Sequence, residues 1–310
     1  MDPNIENPFM ENPASEDNAL PALILICVTF FYAENRLQYL NLISDYFGEL
    51  GKRVVVVIVT NTRNPDQIQK IQMTVGNKGY TYEIVSPTLM GHPYLLTWSH
   101  FDVIRTYSRD QSITLFLYLE DDICIKKENI LYWIKGREIL KPLGLIPSFL
   151  RYERKMGDEN LYSTDIRRAI NPFRIPRVNI SDTYAYMNLR DPYQGMYILD
   201  QELMLEHLHG PASNPDFAKC KWGIREKAAQ GVTFLNVPKG FTSRNLIGYK
   251  IAEQKIDEHC LIHHTANNFA NNPDTDFGKI PVTQLVSRAY STRKPIFRLG
   301  PSVVNLPSQN

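Results

Sequence analysis

The 310-residue sequence has no Gly-x-Gly-x-x-Gly segment after its first apolar run and no lysine-containing glycine loop near it. Phe31-Tyr32-Ala33-Glu34 stands where a dinucleotide fingerprint would begin, which counts against a dinucleotide enzyme. Net charge is equally scarce. The 34 Lys and Arg nearly cancel the 33 Asp and Glu, leaving +1, so no global field draws nucleic acid or an anionic membrane. Only four cysteines occur, Cys27, Cys124, Cys220 and Cys260, widely scattered and two of them inside apparent strands. That pattern fits reduced, buried thiols rather than a disulfide framework. Long hydrophobic runs are missing as well. Ala19 to Ala33 spans about 15 residues, short of the roughly 20 that a membrane helix needs. Its upstream flank (Asp2, Glu6, Glu11, Glu16, Asp17) is acidic where a signal peptide is basic. No transmembrane segment is expected, and the run reads as a buried strand. The expected location is cytoplasmic or peripheral to a membrane, with the secretory lumen left open by the single sequon Asn179-Ile-Ser181.

What is present is ordinary in amount and informative in order. Hydrophobic residues make up 43% and charged residues 22%, as in a globular protein, and the length suits one large α/β domain or two small ones. Residues 1–20, rich in Asn, Pro and acids, read as a disordered tail. Leu23 to Phe31 is expected as a first strand, Glu34 to Phe47 as an amphipathic helix and Arg53 to Thr60 as a Val-rich second strand. Pro65 opens a helix to Val75, Tyr80 to Val85 is a third strand, and Tyr94 to Arg109 is a third helix carrying Leu95, Trp98, Val103 and Ile104. With a strand from Ile113 the pattern is β-α-β-α-β-α-β, a parallel nucleotide-binding half over residues 21–141. Residues 142–310 are punctuated by prolines. Gln194 to Leu199 reads as a strand, Asp200 caps a helix through His207, Trp222 to Ala229 is a short helix and Val232 to Val237 a strand. This half is expected to extend the same sheet, not to form an independent domain.

Ile113 to Ile125, Ile-Thr-Leu-Phe-Leu-Tyr-Leu-Glu-Asp-Asp-Ile-Cys-Ile, organises the rest. A continuous apolar run reads as a strand buried on both faces, and it ends in three adjacent carboxylates, Glu120, Asp121 and Asp122. Their mutual repulsion is offset by a hard divalent cation, and carboxylate oxygens suit Mg²⁺ or Mn²⁺. Ligands of open α/β sheets bind at the carboxyl ends of strands. The triplet therefore reads as a metal–nucleotide site.

Strand-Glu-Asp-Asp-apolar, followed by a helix from Lys127 to Leu140, resembles the Asp-x-Asp signature of GT-A fold glycosyltransferases, in the Glu-Asp-Asp form of the N-acetylglucosaminyltransferase I type. The resemblance implies a GT-A, Rossmann-like fold: α/β, with a mixed, mainly parallel sheet flanked by helices and a C-terminal acceptor-side extension. It also implies sugar transfer from a nucleotide-sugar, a UDP-sugar first and a GDP-sugar next, to a hydroxyl on a glycan, polysaccharide or glycolipid. It points to Asp122 as ligand to Mn²⁺ or Mg²⁺, to Glu120 and Asp121 on the ribose and nucleotide side, and to a C-terminal histidine as further ligand. His263 and His264 are the choices for that ligand. Adjacent strand residues face opposite ways, so one of them at most reaches the metal, and His263 is favoured.

Trp222-Gly223-Ile224-Arg225-Glu226 is similar to the Trp-Gly-x-x-Glu and Trp-Gly-Gly-Glu segments that place an acid near the acceptor, although the second glycine is missing. Glu226 is the expected general base of an inverting reaction, with Glu202 and Asp200 as alternates and Glu153 third. Phe31, Tyr32, Asn35, Arg36, Asn61 and Thr62 lie at the carboxyl ends of strands one and two, where the base and ribose would be held. Many family members have Asp where Asn61-Thr62 stands. His100 is a further candidate for phosphate, and Tyr94 or Trp98 for stacking on a sugar, with packing the first expectation for Trp98. Arg151, Arg154, Arg167, Arg168, Arg174 and Arg177 could line an anionic acceptor surface but fit ordinary solvated charge better. Two other classes remain: a metal-dependent nucleotidyltransferase or phosphohydrolase, and a non-catalytic carbohydrate-binding protein on the same fold.

Overall fold

The computed structural model describes residues 19–88, 92–216, 221–287 and 303–305. The acidic segment expected as a tail falls in residues 1–18, which lie, with Cys220, outside the described residues. In the first half, strand β1 runs Ile24–Phe30, β2 Val54–Thr60, β3 Thr81–Val85, β4 Leu115–Glu120 and β5 Ile123–Cys124. The helices are α1 Leu37–Ser44, α2 Pro65–Val75, α3 His100–Tyr107 and α4 Lys127–Leu140. In the second half, β6 is Leu150–Arg154, β7 Leu161–Ser163, β8 Tyr184–Asn188, β9 Met196–Asp200, β10 Asn245–Lys250 and β11 Leu261–His264. Two helices, α5 Gln201–His209 and α6 Ile224–Lys227, lie between β9 and β10.

The main sheet has the order β9-β4-β1-β2-β3. β1 to β4 are mutually parallel, and β9 joins β4 antiparallel, with Met196 opposite Leu119 and Asp200 opposite Leu115. Every residue of β1 and the first five of β4 are buried, as helices on both faces require. Each such Ile, Leu or Phe contributes roughly 1.5–3 kcal/mol relative to an exposed side chain. One contiguous buried cluster takes in both halves of the chain, from Leu23 to Val286, so the second half builds onto the first. β8 and β10 pair in a second sheet, and β7-β6-β11-β5 form part of a third. Because β4 belongs to the first sheet and β5 to the third, the Asp121-Asp122 turn between them sits where two sheets meet.

Local chemistry explains the boundaries. Asn64 accepts from the backbone N–H of Asp66 and Gln67, and Pro65 opens α2. Asp200 accepts from the Leu203 N–H and opens α5. The helix expected over Tyr94 to Arg109 divides into a 3₁₀ turn, Pro93–Trp98, and α3. There Thr97, Ser99 and His100 side chains bond the carbonyls of Tyr94, Leu95 and Thr97 and compete with a continuous helix. The segment from Glu34 divides likewise, into the 3₁₀ turns Glu34–Arg36 and Phe47–Glu49 on either side of α1. The strand expected from Val232 to Val237 is a run of turns. Gly231 and Asn236 have positive φ, and the Leu235 N–H closes onto the Val232 carbonyl, so these backbone groups are used locally. Among the described residues no helix is long and apolar enough to cross a membrane.

Candidate metal–nucleotide site

β4 delivers Glu120 to its carboxyl end, and the turn that follows carries Asp121 and Asp122 into the junction of the sheets. Glu120 lies on the β9 side. Its Oε1 accepts from the Tyr193 hydroxyl at 2.6 Å, and its N–H donates to the Gly195 carbonyl at 3.0 Å. Gly195 has φ +65°, and a Cβ there would lie 3.0 Å from Glu120 Oε2, so the position needs glycine for conformation and for space. Asp121 and Asp122 turn the other way, toward Arg36 from the end of β1. The Arg36 Nε donates to Asp121 Oδ2 at 2.7 Å, and its Nη2 bonds Asp121 Oδ1 and, at 3.0 Å, Asp122 Oδ2.

The third wall is β11. It pairs antiparallel with β5, His264 opposite Ile123 and His263 opposite Cys124, and the Thr265 N–H donates to the Asp122 carbonyl. This register turns His264 into the site. Its Nε2 lies 3.6 Å from Asp122 Oδ2, too far for a hydrogen bond but close enough for a shared ion. On the far side of the ring, Nδ1 is 2.5 Å from Glu153 Oε1. His263, the favoured ligand from sequence, faces away. Its ring stacks on Tyr152 with centroids 5.0 Å apart, and its Nε2 meets Asn267. The alternation of a strand admits one histidine, and pairing with β5 selects His264.

Burial raises the Asp121 carboxyl to about 7, against the pull of Arg36. Burial and the Asp122 charge push Glu120 up. For Asp122 burial opposes ionisation, but His264 and Arg36 outweigh it and hold the carboxyl well below the usual range. Burial likewise works against protonated His264, and the facing Asp122 and Glu153 carboxylates raise it to about 9. Asp122 Oδ1 is buried and has no hydrogen-bond partner. An orphaned carboxylate oxygen, beside an imidazole nitrogen aimed at the same carboxylate, is a donor set that fits a divalent ion accepting oxygen and nitrogen ligands.

The other expected residues divide. Asn61 Oδ1 accepts from the Tyr32 N–H at 2.7 Å, tying the ends of β1 and β2 together beside Phe31, which is 47% exposed. Asn35 is exposed at the same edge. Thr62 is instead buried and spent on the turn, bonding Gln67 and accepting from the Asn64 N–H. His100 is fully buried, one ring nitrogen against the Thr97 carbonyl and the other against the Tyr197 hydroxyl, so it cannot meet a phosphate. Asp200 and Glu202 lie at the opposite end of β4, about 17 Å away at 3.4 Å per residue. There Asp200 pairs with Arg137, and Glu202 with Lys141, and neither reaches the triplet. Trp98 packs in the interior, stacked on Phe101, and donates to the Ile224 carbonyl. Tyr94 is half exposed beneath the Arg225 guanidinium.

Glu226 is half-buried on α6, its Oε1 held by Arg225 at 2.8 Å. Trp222 packs edge-on against Tyr193, centroids 5.0 Å apart, and Tyr193 bonds Glu120, so this segment adjoins the carboxylates. Arg151 is buried against Asp165 and lies over the Tyr193 ring, and Arg167 and Arg177 lie over Phe277 and Phe173. Tyr193 and Thr265 were not singled out from sequence. The glycine just before β9 was the one local signal, since an αL residue at a strand start marks a close approach. No protein-family model matches the chain, and no curated protein matches its sequence.

Proposed function

We propose that this chain is a metal-dependent glycosyltransferase of the GT-A type, which moves a sugar from a nucleotide-sugar to a hydroxyl acceptor. The observation that carries the proposal is the orphaned Asp122 Oδ1 beside His264 Nε2, just past the carboxyl end of the buried parallel strand β4. Asp122 and His264 would hold Mn²⁺ or Mg²⁺, and a divalent ion there neutralises a leaving diphosphate. Phe31, Tyr32, Asn35 and Asn61 frame the edge where a base and ribose would lie, with a UDP-sugar first and a GDP-sugar second. Asp121, fixed by Arg36, is on the nucleotide side, while Glu120, expected there too, is fixed by Tyr193 on the β9 side, next to the Trp222 segment. Glu226 is the proposed base. It would take the proton from the acceptor hydroxyl as that oxygen attacks the anomeric carbon and the diphosphate leaves, which inverts the centre. The acceptor is a glycan, polysaccharide or glycolipid hydroxyl.

A second reading has its own observation. Arg36 already neutralises part of the triplet and Arg225 already holds Glu226, an arrangement that suits a carbohydrate-binding protein without transfer. A thermal-shift panel of UDP, GDP, CDP, CMP and ADP, each with and without Mn²⁺, tests the first. A ligand that binds only the native state raises the melting temperature by mass action. Stabilisation by one nucleotide that requires Mn²⁺ is expected. No stabilisation by any of them would remove the donor site, and nucleotide binding without hydrolysis or transfer of the cognate sugar would favour the second reading.

A further inference from the structure

Glu153 is an acid in the interior of a strand, with no exposed surface. Nothing in the pairing of β6 with β7 and β11 calls for a charge there, and an apolar side chain would avoid the cost of desolvating a carboxylate. Both of its oxygens are committed. Oε2 accepts from the Ala270 N–H at 2.5 Å, and Oε1 lies 2.5 Å from His264 Nδ1. An ionised carboxylate only accepts, so the proton between them belongs to Nδ1. The ring face is fixed too, stacked on Phe269 with centroids 5.7 Å apart.

We propose that Glu153 is a positioning residue, which holds the His264 proton on Nδ1 and so turns the Nε2 lone pair toward Asp122 to share one divalent cation. Metal-ligating histidines commonly donate their second N–H to a carboxylate, which sets tautomer and orientation. Here the same carboxylate also ties down the backbone of residue 270, so the loop after β11 and the ring are fixed by one group. The inference rests on the metal reading above.

Glu153→Gln tests it with little change of shape. The amide oxygen replaces Oε2 toward the Ala270 N–H. The amide NH₂ then faces Nδ1, which must become an acceptor, and the ring proton moves to Nε2, the atom the metal needs. Mn²⁺ affinity of the full chain, measured by electron paramagnetic resonance, should fall about 10–100-fold. His264→Gln should fall comparably, the double variant no further than the worse single, and Glu153→Asp should recover part of the loss. Affinity within about twofold of wild type in Glu153→Gln, or losses that add in the double variant, would overturn the proposal. A second measurement is independent of metal. The metal-free wild type with ¹⁵N-labelled histidine should show a strongly hydrogen-bonded His264 Nδ1–H, far downfield, which Glu153→Gln removes. If that signal is present and the wild type binds no Mn²⁺, the metal reading fails while the orientation stands. If the signal is absent, the orientation is wrong however Mn²⁺ behaves, and this holds even if Glu153→Gln does not fold.

Discussion

Two acid-and-histidine groups in this protein share residue types and differ in how their atoms are partnered. Asp257, Glu258 and His259 lie close enough together to ligate one ion. Their atoms are already taken: the Asp257 carboxylate accepts from the Tyr184 hydroxyl and from His259, and Glu258 is held by Lys250. The cluster at the end of β4 gathers Asp121, Asp122 and Glu153 against Arg36 and His264, and leaves one buried oxygen without a partner. Proximity of ligand-type residues does not by itself distinguish the two groups. Partner accounting separates a group that completes a fold from one that can still accept an ion.

The sharpest way to break the comparison is Asp122→Ala. It should abolish the Mn²⁺-dependent nucleotide stabilisation and lower any transfer activity by about 100-fold or more, since it removes a ligand where second-sphere changes alone cost 10–100-fold. Glu258→Gln should leave both unchanged. Arg36→Ala strips Asp121 and Asp122 of their cation. Removing one partner of a buried pair costs about 3–5 kcal/mol, and Arg36 is partly exposed, so a loss near about 3 kcal/mol is expected in urea melts. Saturating Mn²⁺ should restore part of that loss, beyond the stabilisation it gives wild type, whereas a Lys250→Ala variant should gain from Mn²⁺ no more than wild type does.

Gly195→Ala probes the same site through the backbone. The positive φ and the approach to Glu120 should together cost about 1–3 kcal/mol and weaken nucleotide binding more than an alanine at a distant turn glycine. The smallest effect belongs to His259. Its hydrogen bond to Asp257, stronger than the opposing burial, raises its titration point above that of a free imidazole. The stability it adds is complete below the unfolded value of about 6.5 and is lost as pH climbs through the raised one. His259→Gln should flatten that decline by less than about 1 kcal/mol, because the ring is 39% exposed. Metal-dependent behaviour should not change.

The parallel course of β1 to β4 was legible because strands alternate with helices along the chain, and β1, β2 and β4 are continuous apolar runs. Pro65 and Asp200 show this well, since helix-start chemistry is local and acts within three residues. The carboxylate triplet was legible for the same reason: three acids at the end of a buried run are a local anomaly. Val232 to Val237 misled because apolar content alone cannot distinguish a strand from buried turns, and the positive φ of Asn236 leaves no periodic trace. His100 misled because polarity says nothing of burial. Its partners Thr97 and Tyr197 come from two separate elements.

Local chemistry alone was enough to say that an acidic cluster would end a buried strand, and that one histidine at most of the 263–264 pair could join it. Those facts follow from a two-residue side-chain period and from the cost of adjacent charges. Which histidine turns inward, which acid stands behind it and which acids lie elsewhere came from long-range pairing. The antiparallel register of β11 on β5 turns His264 inward, its parallel register on β6 brings up Glu153, and the antiparallel course of β9 carries Asp200 to the far end. Register is a long-range property, set by how strands far apart in the chain align, and no local pattern in either strand specifies it alone.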